Sequence, residues 1–377
     1  MRKGVVLACG GAALIVSSVL GWIDVRRERD FRRLLAEGDR SLAAGQTSVA
    51  VEAFSGALAL KPQSMLPYLK RGDTYLHRRE WAAADRDLRS ASALDPTAPQ
   101  PRERRGDVAL GEGRFVEAAR EYRESLALED RAPGVLRKLA LAEYLADNPD
   151  AAVRAADAAI RLEPENPNTH YLHGLTLVAA RRPVDARRAF ERAIALEAGA
   201  VAPRLTLAGL HESAHRTQDA LALREAVAAL IPDTPGPILA LADAYARTGQ
   251  LEQADAALAR AAIRYPDSQV ILLARARLLV DRADGSADTT SLRQALQMLA
   301  ASAAKPDASG ALLSLYGRAL LLDGSLAAAE RTLQRAILHT PVTVGTFALL
   351  AEASARRGHA IEAAHARAQQ AALSEGP

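Results

Sequence analysis

The stretch AVEAFSGALALKP, residues 50–62, is matched further along the chain by ADRDLRSASALDP, residues 84–96. Both stretches have alanine at the first and eighth places, a bulky apolar residue at the fifth and proline at the thirteenth. The spacing of the apolar residues is typical of an amphipathic helix, which the proline ends. Recurrence at a fixed interval predicts a repeat architecture, in which each copy is one packing module.

Eight further copies of this phrase follow, so the chain is repetitive from residue 31 to its end. The interval from Ala50 to Ala84 is kept in every step as far as Ala254, which gives a 34-residue period. The next step, from Ala254 to Ala295, is longer, so one repeat carries seven extra residues. The further copies begin at Ala118, Ala152, Ala186, Ala220, Ala254, Ala295, Ala329 and Ala363.

A second helical pattern precedes each phrase, and it carries a small residue twelve positions before the phrase begins, or nineteen in the long repeat. We expect a pair of helices that cross where both carry small residues, so that Gly38 keeps Ala50 small. Glycine recurs seven positions after the small residue, where it can take the left-handed conformation that ends a helix. The first set comprises Gly38, Gly72, Gly106, Ala140, Gly174, Ala208, Ala242, Ala276, Gly317 and Ala351; the second comprises Gly45, Gly113, Gly249, Gly324 and Gly358.

These marks resemble the tetratricopeptide repeat (TPR) family over residues 31–377. The resemblance implies an all-α fold, a right-handed α-solenoid of about ten helix-turn-helix repeats. In each repeat the small residue is position 8, the phrase begins with alanine at position 20, and the bulky residue is position 24. The repeats lie near 31–64, 65–98, 99–132, 133–166, 167–200, 201–234, 235–268, 269–309, 310–343 and 344–377.

The segment that precedes the repeats, residues 1–30, contains an uncharged run from Val5 to Ile23, after Arg2 and Lys3. Its length is about that of a transmembrane helix and exceeds the apolar core of most signal peptides. The run therefore predicts an N-terminal membrane anchor, with a long signal segment as the alternative. We expect a single-pass membrane protein that contacts the membrane through residues 5–23, with its body on either the periplasmic or the cytoplasmic face.

The seven extra residues lie in the long repeat, around ADGSADTT at residues 283–290. Asp284, Ser286 and Asp288 alternate as calcium ligands do, but Ala295 stands where a calcium loop needs glutamate. We expect a surface loop or a lengthened helix in the turn between the two helices of this repeat.

Sites for catalysis, metals, cofactors and nucleic acid are not predicted. The 48 basic and 45 acidic residues are interspersed, which argues against a nucleic-acid partner. Cys9 is the single cysteine, and the pairs His170 with His173 and His211 with His215 have no third metal ligand nearby. The sequence has no glycine-rich phosphate loop and no nucleophile set apart from the repeat pattern. We expect a protein that is not an enzyme.

The resemblance implies that the first helices of the repeats line a concave groove that binds a protein or peptide partner. Positions 2, 5, 9, 12 and 13 of each repeat would face this groove. It would be acidic near the start and more basic further along, with tyrosines between. The candidate groove residues are Asp39, Asp73, Asp107, Tyr144, Tyr171, Arg247, Arg277, Arg318 and Arg356.

The sequence therefore favours a membrane-tethered TPR scaffold that mediates protein–protein interaction, in the assembly of an envelope or secretion complex. The alternative is a regulatory or accessory subunit that docks a membrane-associated enzyme. The two differ in the identity of the partner.

Overall fold

The computed structural model describes residues 2–286 and 288–374, with side chains from residue 22 onward. These residues form twenty α-helices and no β-strand. The chain divides into two compact units, residues 1–198 and residues 199–377, and the boundary falls beside that between the fifth and sixth repeats. The all-α fold predicted from the sequence is confirmed.

The N-terminal unit (residues 1–198) contains five helix pairs. Each of its first helices after α1 begins on the first residue of a repeat, and proline occupies the first or second position in three of them, where no amide hydrogen is needed. The helices are α1 (Arg2–Ala43), α2 (Thr47–Leu60), α3 (Met65–His77), α4 (Trp81–Leu94), α5 (Pro99–Gly111), α6 (Phe115–Leu128), α7 (Pro133–Leu145), α8 (Pro149–Leu162), α9 (Pro167–Ala179) and α10 (Pro183–Leu196).

The C-terminal unit (residues 199–377) repeats the same arrangement. Its helices are α11 (Ala202–Ser213), α12 (Thr217–Leu230), α13 (Pro235–Arg247), α14 (Leu251–Arg264), α15 (Gln269–Ser286), α16 (Thr289–Ala303), α17 (Gly310–Leu322), α18 (Leu326–Ala336), α19 (Val344–Arg356) and α20 (Ala360–Ser374). In both units each helix packs on the next one in the chain, so the apolar face of one pair is covered by its neighbour.

The first helices of neighbouring repeats also contact one another within each unit, as α3 does α5 and α15 does α17. The second helices do not approach each other as closely. The exposed side of the odd-numbered helices is called the inner face below.

At the close crossing within a repeat the side chain at position 24 lies over position 8, and the backbone at position 20 is also near, since a Cβ atom added to Gly72 would lie 3.5 Å from the carbonyl oxygen of Ala84. A Cβ atom added to Gly38 would lie 2.3 Å from the ring of Phe54, and one added to Gly174 would lie 2.3 Å from the ring of Phe190. Glycine therefore makes room for a large side chain. The repeats with glycine at position 8 carry Phe54, Leu88, Tyr122, Phe190 and Leu333 against it.

In nine of the ten repeats, the long repeat excepted, the turn between the two helices has a left-handed residue at position 15. The five glycines predicted to take this conformation all have φ between 74° and 83°. Four other repeats place a side-chain-bearing residue there with φ between 56° and 59°, namely Arg79, Asp147, Arg181 and His215. The turn geometry is therefore set by the helix pair and tolerates a residue that lacks the freedom of glycine.

The seven extra residues of the long repeat lengthen α15 to 18 residues, against 13 in α13 and α17. Asp284 lies on the added turn and accepts a hydrogen bond from Arg318 at 2.7 Å. Asp288 caps α16 by accepting hydrogen bonds from the amides of Thr290 and Ser291. Both carboxylates therefore have structural partners.

The predicted single-pass localisation is wrong, because no helix in the described part of the chain is long and apolar enough to cross a membrane. Residues 5–21 of the predicted segment lie outside the residues whose side chains are described.

Candidate functional site

The acidic residues predicted for the groove lie on the inner face, and each has a basic partner from the next first helix. Lys70 Nζ lies 2.6 Å from Asp39 Oδ1, and Arg104 Nε lies 3.0 Å from Asp73 Oδ1. Lys138 Nζ lies 2.8 Å from Asp107 Oδ1. These three pairs form a ladder from position 9 of one repeat to position 6 of the next. The ladder leaves this part of the inner face much less acidic than its aspartates alone imply.

The ladder becomes a network around α5. Arg104 lies 3.1 Å from both Glu103 and Asp107, and Tyr122 donates a hydrogen bond of 2.8 Å to Asp107. Burial raises the pKa of Asp73, Arg104 opposes that rise, and the nearby Asp107 carboxylate adds to it. Burial therefore disfavours the charged form of Asp73 more than Arg104 stabilises it.

Part of the inner face of α7 and α9 is apolar. Tyr144 and Tyr171 lie there half-buried, and the Tyr171 ring centroid is 5.9 Å from that of Phe190. Leu145 and Val178 lie on the same side, 41% and 42% exposed. Helical spacing places these apolar side chains on the same side of each helix. Because α7 and α9 contact each other, the two sides adjoin. We call this surface the apolar patch; it comprises Leu141, Tyr144, Leu145, Tyr171, Leu175 and Val178.

Three of the four arginines predicted for the groove in the C-terminal unit are held by carboxylates. Arg247 lies 2.8 Å from Asp243, and Arg356 lies 3.4 Å from Glu352. Arg318 donates hydrogen bonds of 2.6 Å to Asp281 and 2.7 Å to Asp284. Burial opposes the charge of Arg318, but these two carboxylates outweigh burial and raise the pKa of the guanidinium.

Arg277 differs from the other three. Its side chain is exposed, and no carboxylate lies within 4 Å of it among the residues that the structure describes. It lines a cavity of about 230 Å³ together with Arg318, Ser314 and Leu315 of α17 and Thr346 of α19. The structure thus places Arg277 and Arg318 at one cavity, whereas Arg247 and Arg356 do not line it.

The histidines have local partners. His173 Nε2 lies 3.1 Å from Asp157, His170 Nε2 lies 2.8 Å from the carbonyl oxygen of Pro164, and His211 Nδ1 lies 3.6 Å from Asp219. Burial lowers the pKa of His173, which Asp157 partly offsets. In the described ranges, 2–286 and 288–374, no three histidine, cysteine, aspartate or glutamate side chains form a group that could hold a metal ion.

Sequence reasoning missed two parts of the inner face. The basic residues Lys70, Arg104 and Lys138 all stand at position 6, and this recurrence places them on one side of the first helices without giving their distances to the aspartates. Leu145 and Val178 stand at positions 13 and 12, which the family assigns to the groove, but the groove residues predicted in these two repeats were Tyr144 and Tyr171 alone. Whether any of these residues contacts a partner stays a prediction.

Comparison with solved structures gives TPR proteins of low sequence identity. The C-terminal part of a TPR repeat-containing protein from Cytophaga hutchinsonii is 18% identical, and the match covers 65% of this chain and 98% of that chain with a TM-score of 0.54. PilW, described as a widely conserved type IV pilus biogenesis factor, is 15% identical over 54% of this chain and 95% of that chain, with a TM-score of 0.49. YrrB, described as a TPR protein with an unusual peptide-binding site, is 17% identical over 51% of this chain and 98% of that chain, with a TM-score of 0.45.

No protein-family model and no curated protein matches the chain. Because every one of these identities is far below 25%, the likeness shows the fold alone. The chain has the TPR type of helix-pair fold, as its 34-residue period predicted.

Proposed function

We propose that this chain is a non-catalytic scaffold that binds a segment of a partner protein on the inner face of its repeats. The observation that carries the proposal is the apolar patch on α7 and α9. Its side chains project from the first helices of two neighbouring repeats and are only partly covered, with Leu145 41% and Val178 42% exposed.

The chemistry of the patch supports a protein partner. Two tyrosines surrounded by leucine and valine offer large apolar contact area at low entropic cost, and tyrosine is enriched where protein interfaces are strongest. The charged network of Glu103, Arg104, Asp107 and Lys138 borders the patch on the α5 side. An apolar core beside a polar rim is the usual composition of a protein–protein interface.

A role in assembling an envelope or secretion complex is the finer part of this proposal. The chain would hold one component through the patch while other repeats contact a second component. An accessory subunit that docks an enzyme would use the same surface, so the partner's identity distinguishes the two roles.

The test is selection of phage-displayed random peptides on the purified full chain, followed by binding measurements with variants. Val178→Asp and Leu145→Asp place a charge in the patch, and we expect each to weaken the selected peptides at least about tenfold. Val184→Asp is the matched control, because Val184 is 58% exposed on α10, six residues along the chain and off the inner face.

Circular dichroism would verify that all three variants fold. The proposal fails if no peptide is enriched, or if peptides bind the Val178→Asp and Leu145→Asp variants as tightly as the original chain. It also fails if Val184→Asp weakens binding as much as Val178→Asp does.

A further inference from the structure

The cavity beside Arg277 has an open cationic wall. Arg277 stands on α15 with its guanidinium exposed and free of carboxylates, while Arg318 on the opposite side is neutralised by Asp281 and Asp284. A guanidinium presents five N–H donors in a planar fork, and those of Arg277 have no protein acceptor among the described residues. The cavity therefore offers one unsatisfied positive charge.

The remaining walls are polar on one side and apolar on the other. Ser314 and Thr346 hydroxyls lie 3.0 Å apart, and Thr343 and Thr346 hydroxyls lie 2.9 Å apart. Leu315 and Leu349 supply apolar wall, and Leu315 is 8% exposed. A cavity of about 230 Å³ has room for one or two side chains rather than for a folded element.

The cavity lies on the inner face of the C-terminal unit, where α15 contacts α17 and α17 contacts α19. A segment lying across these helices would pass over the cavity and continue on either side of it. This continuity fits an internal stretch of a polypeptide better than an isolated small molecule.

We propose that this cavity binds an aspartate or glutamate side chain of a partner segment, with an adjacent apolar side chain against Leu315 and Leu349. The carboxylate forms a two-pronged hydrogen bond with Arg277, as carboxylates and guanidinium groups do when geometry allows. A single free guanidinium matches a single negative charge, whereas a phosphate dianion would need a second free cation, and Arg318 is already paired. The inference rests on the proposed function as a partner-binding scaffold and names the partner chemistry in the C-terminal unit.

The test uses two fluorescent peptides in anisotropy titrations with the full chain. One alternates Asp and Glu with Leu, and its counterpart carries Asn and Gln instead. We expect the acidic peptide to bind at least about tenfold more tightly, because its carboxylates form charge-assisted hydrogen bonds with Arg277 that the amides cannot replace. Arg277→Glu should abolish this preference, and Arg277→Gln should reduce it.

The matched control is Arg293→Glu, which makes the same charge change in the same repeat. Arg293 is exposed on the second helix α16 and also has no carboxylate within 4 Å in the part of the chain that the structure describes. We expect Arg293→Glu to retain the preference for the acidic peptide. Equal losses in the two variants would mean that the peptide responds to net charge, which overturns the proposal.

Three other outcomes also overturn it: equal affinity for the two peptides, an unchanged preference in Arg277→Glu, or tighter Arg277-dependent binding of a phosphoserine version of the peptide.

Failure of the acidic-segment proposal is distinguishable from failure of the proposed scaffold function. Peptides that depend on Val178 in the N-terminal unit would still bind the Arg277→Glu variant if only the present inference is wrong.

Discussion

Gly174 and Phe190 face each other so closely that a single added methyl group would lie 2.3 Å from the ring. The ring is fully buried, and the same relationship joins Gly38 to Phe54 and Gly106 to Tyr122. The width of each of these helix pairs is thus set by an aromatic side chain lying over a glycine.

Gly174→Ala should lower the free energy of unfolding by about 1–3 kcal/mol, because the ring must move in a closely packed interior. The control is Gly209→Ala, where nothing lies within 4 Å of the added atom. There, alanine should raise stability by about 0.5–1 kcal/mol through helix propensity. Urea denaturation measures both. Equal effects at the two glycines would contradict the packing interpretation.

Arg181→Gly should stabilise the chain by up to about 1 kcal/mol. Arg181 has φ 56°, and a residue with a Cβ atom in this left-handed conformation costs about 1–2 kcal/mol. Glycine removes that cost, but its greater flexibility in the unfolded chain cancels part of the gain. Gly249→Ala, at the equivalent position with φ 77°, should destabilise it. Thermal melts of the two variants should therefore shift in opposite directions. A loss of stability in Arg181→Gly would mean that the arginine side chain makes a contribution larger than its backbone strain.

Glu330 should stabilise the last two repeats in a pH-dependent way. Its carboxylate is buried and accepts hydrogen bonds from Ser354 at 2.7 Å and from His359 at 3.0 Å, and it also pairs with Arg357. Burial alone would raise the pKa of Glu330, but these partners outweigh burial and lower it. Because the pKa of Glu330 is lower in the folded chain, the stabilisation is present above pH 4.5, the ordinary pKa of glutamate. It is lost as the pH falls through the lower pKa that Glu330 has in the folded chain.

Glu330→Gln should therefore cost about 1–3 kcal/mol at pH 7 and progressively less as the pH falls below 4.5, the ordinary value. Glu362→Gln, at an exposed glutamate of α20, is the control and should change stability little at either pH. Urea denaturation at pH 7 and pH 3.5 provides the comparison. A constant difference across this range would show that the charge of Glu330 does not contribute.

Asp73 should behave in the opposite sense, because burial raises its pKa. A carboxyl with a raised folded-state pKa contributes stability at low pH, and that contribution is lost as pH rises through the folded value. Asp73→Asn should thus be at least as stable as the original chain at pH 7, and its relative stability should increase with pH. Asp39→Asn, at the exposed equivalent position, should change stability by no more than about 1 kcal/mol. Thermal melts from pH 4 to 8 measure both variants. A clear loss of stability in Asp73→Asn at pH 7 would contradict this account.

The helix boundaries were largely predictable, because α3, α5, α7 and α9 begin where the 34-residue period places a new repeat. The glycines of the turns were predictable for the same reason. The left-handed residues Arg79, Asp147, Arg181 and His215 were not, because nothing in their chemistry marks the conformation. There the helix pair on either side imposes the backbone.

The candidate site was predictable only in part. Recurrence identified the aspartates at position 9, yet it did not show that Lys70, Arg104 and Lys138 would neutralise them. Charge pairing depends on distance between side chains that are 31 residues apart in the sequence. The same applies to Arg277 and Arg318, which look alike in the sequence but differ because only Arg318 faces two carboxylates.

The sequence by itself determined the repeat, its period, the helix pairs and the residues that punctuate them, because local propensity and apolar spacing act over a few turns of chain. The tertiary structure alone decided that the large side chain at position 24 lies over the small residue at position 8. It also decided which inner-face charges are cancelled and where apolar surface stays uncovered. Those outcomes depend on volumes and distances between neighbouring helices, and a residue's type does not specify them.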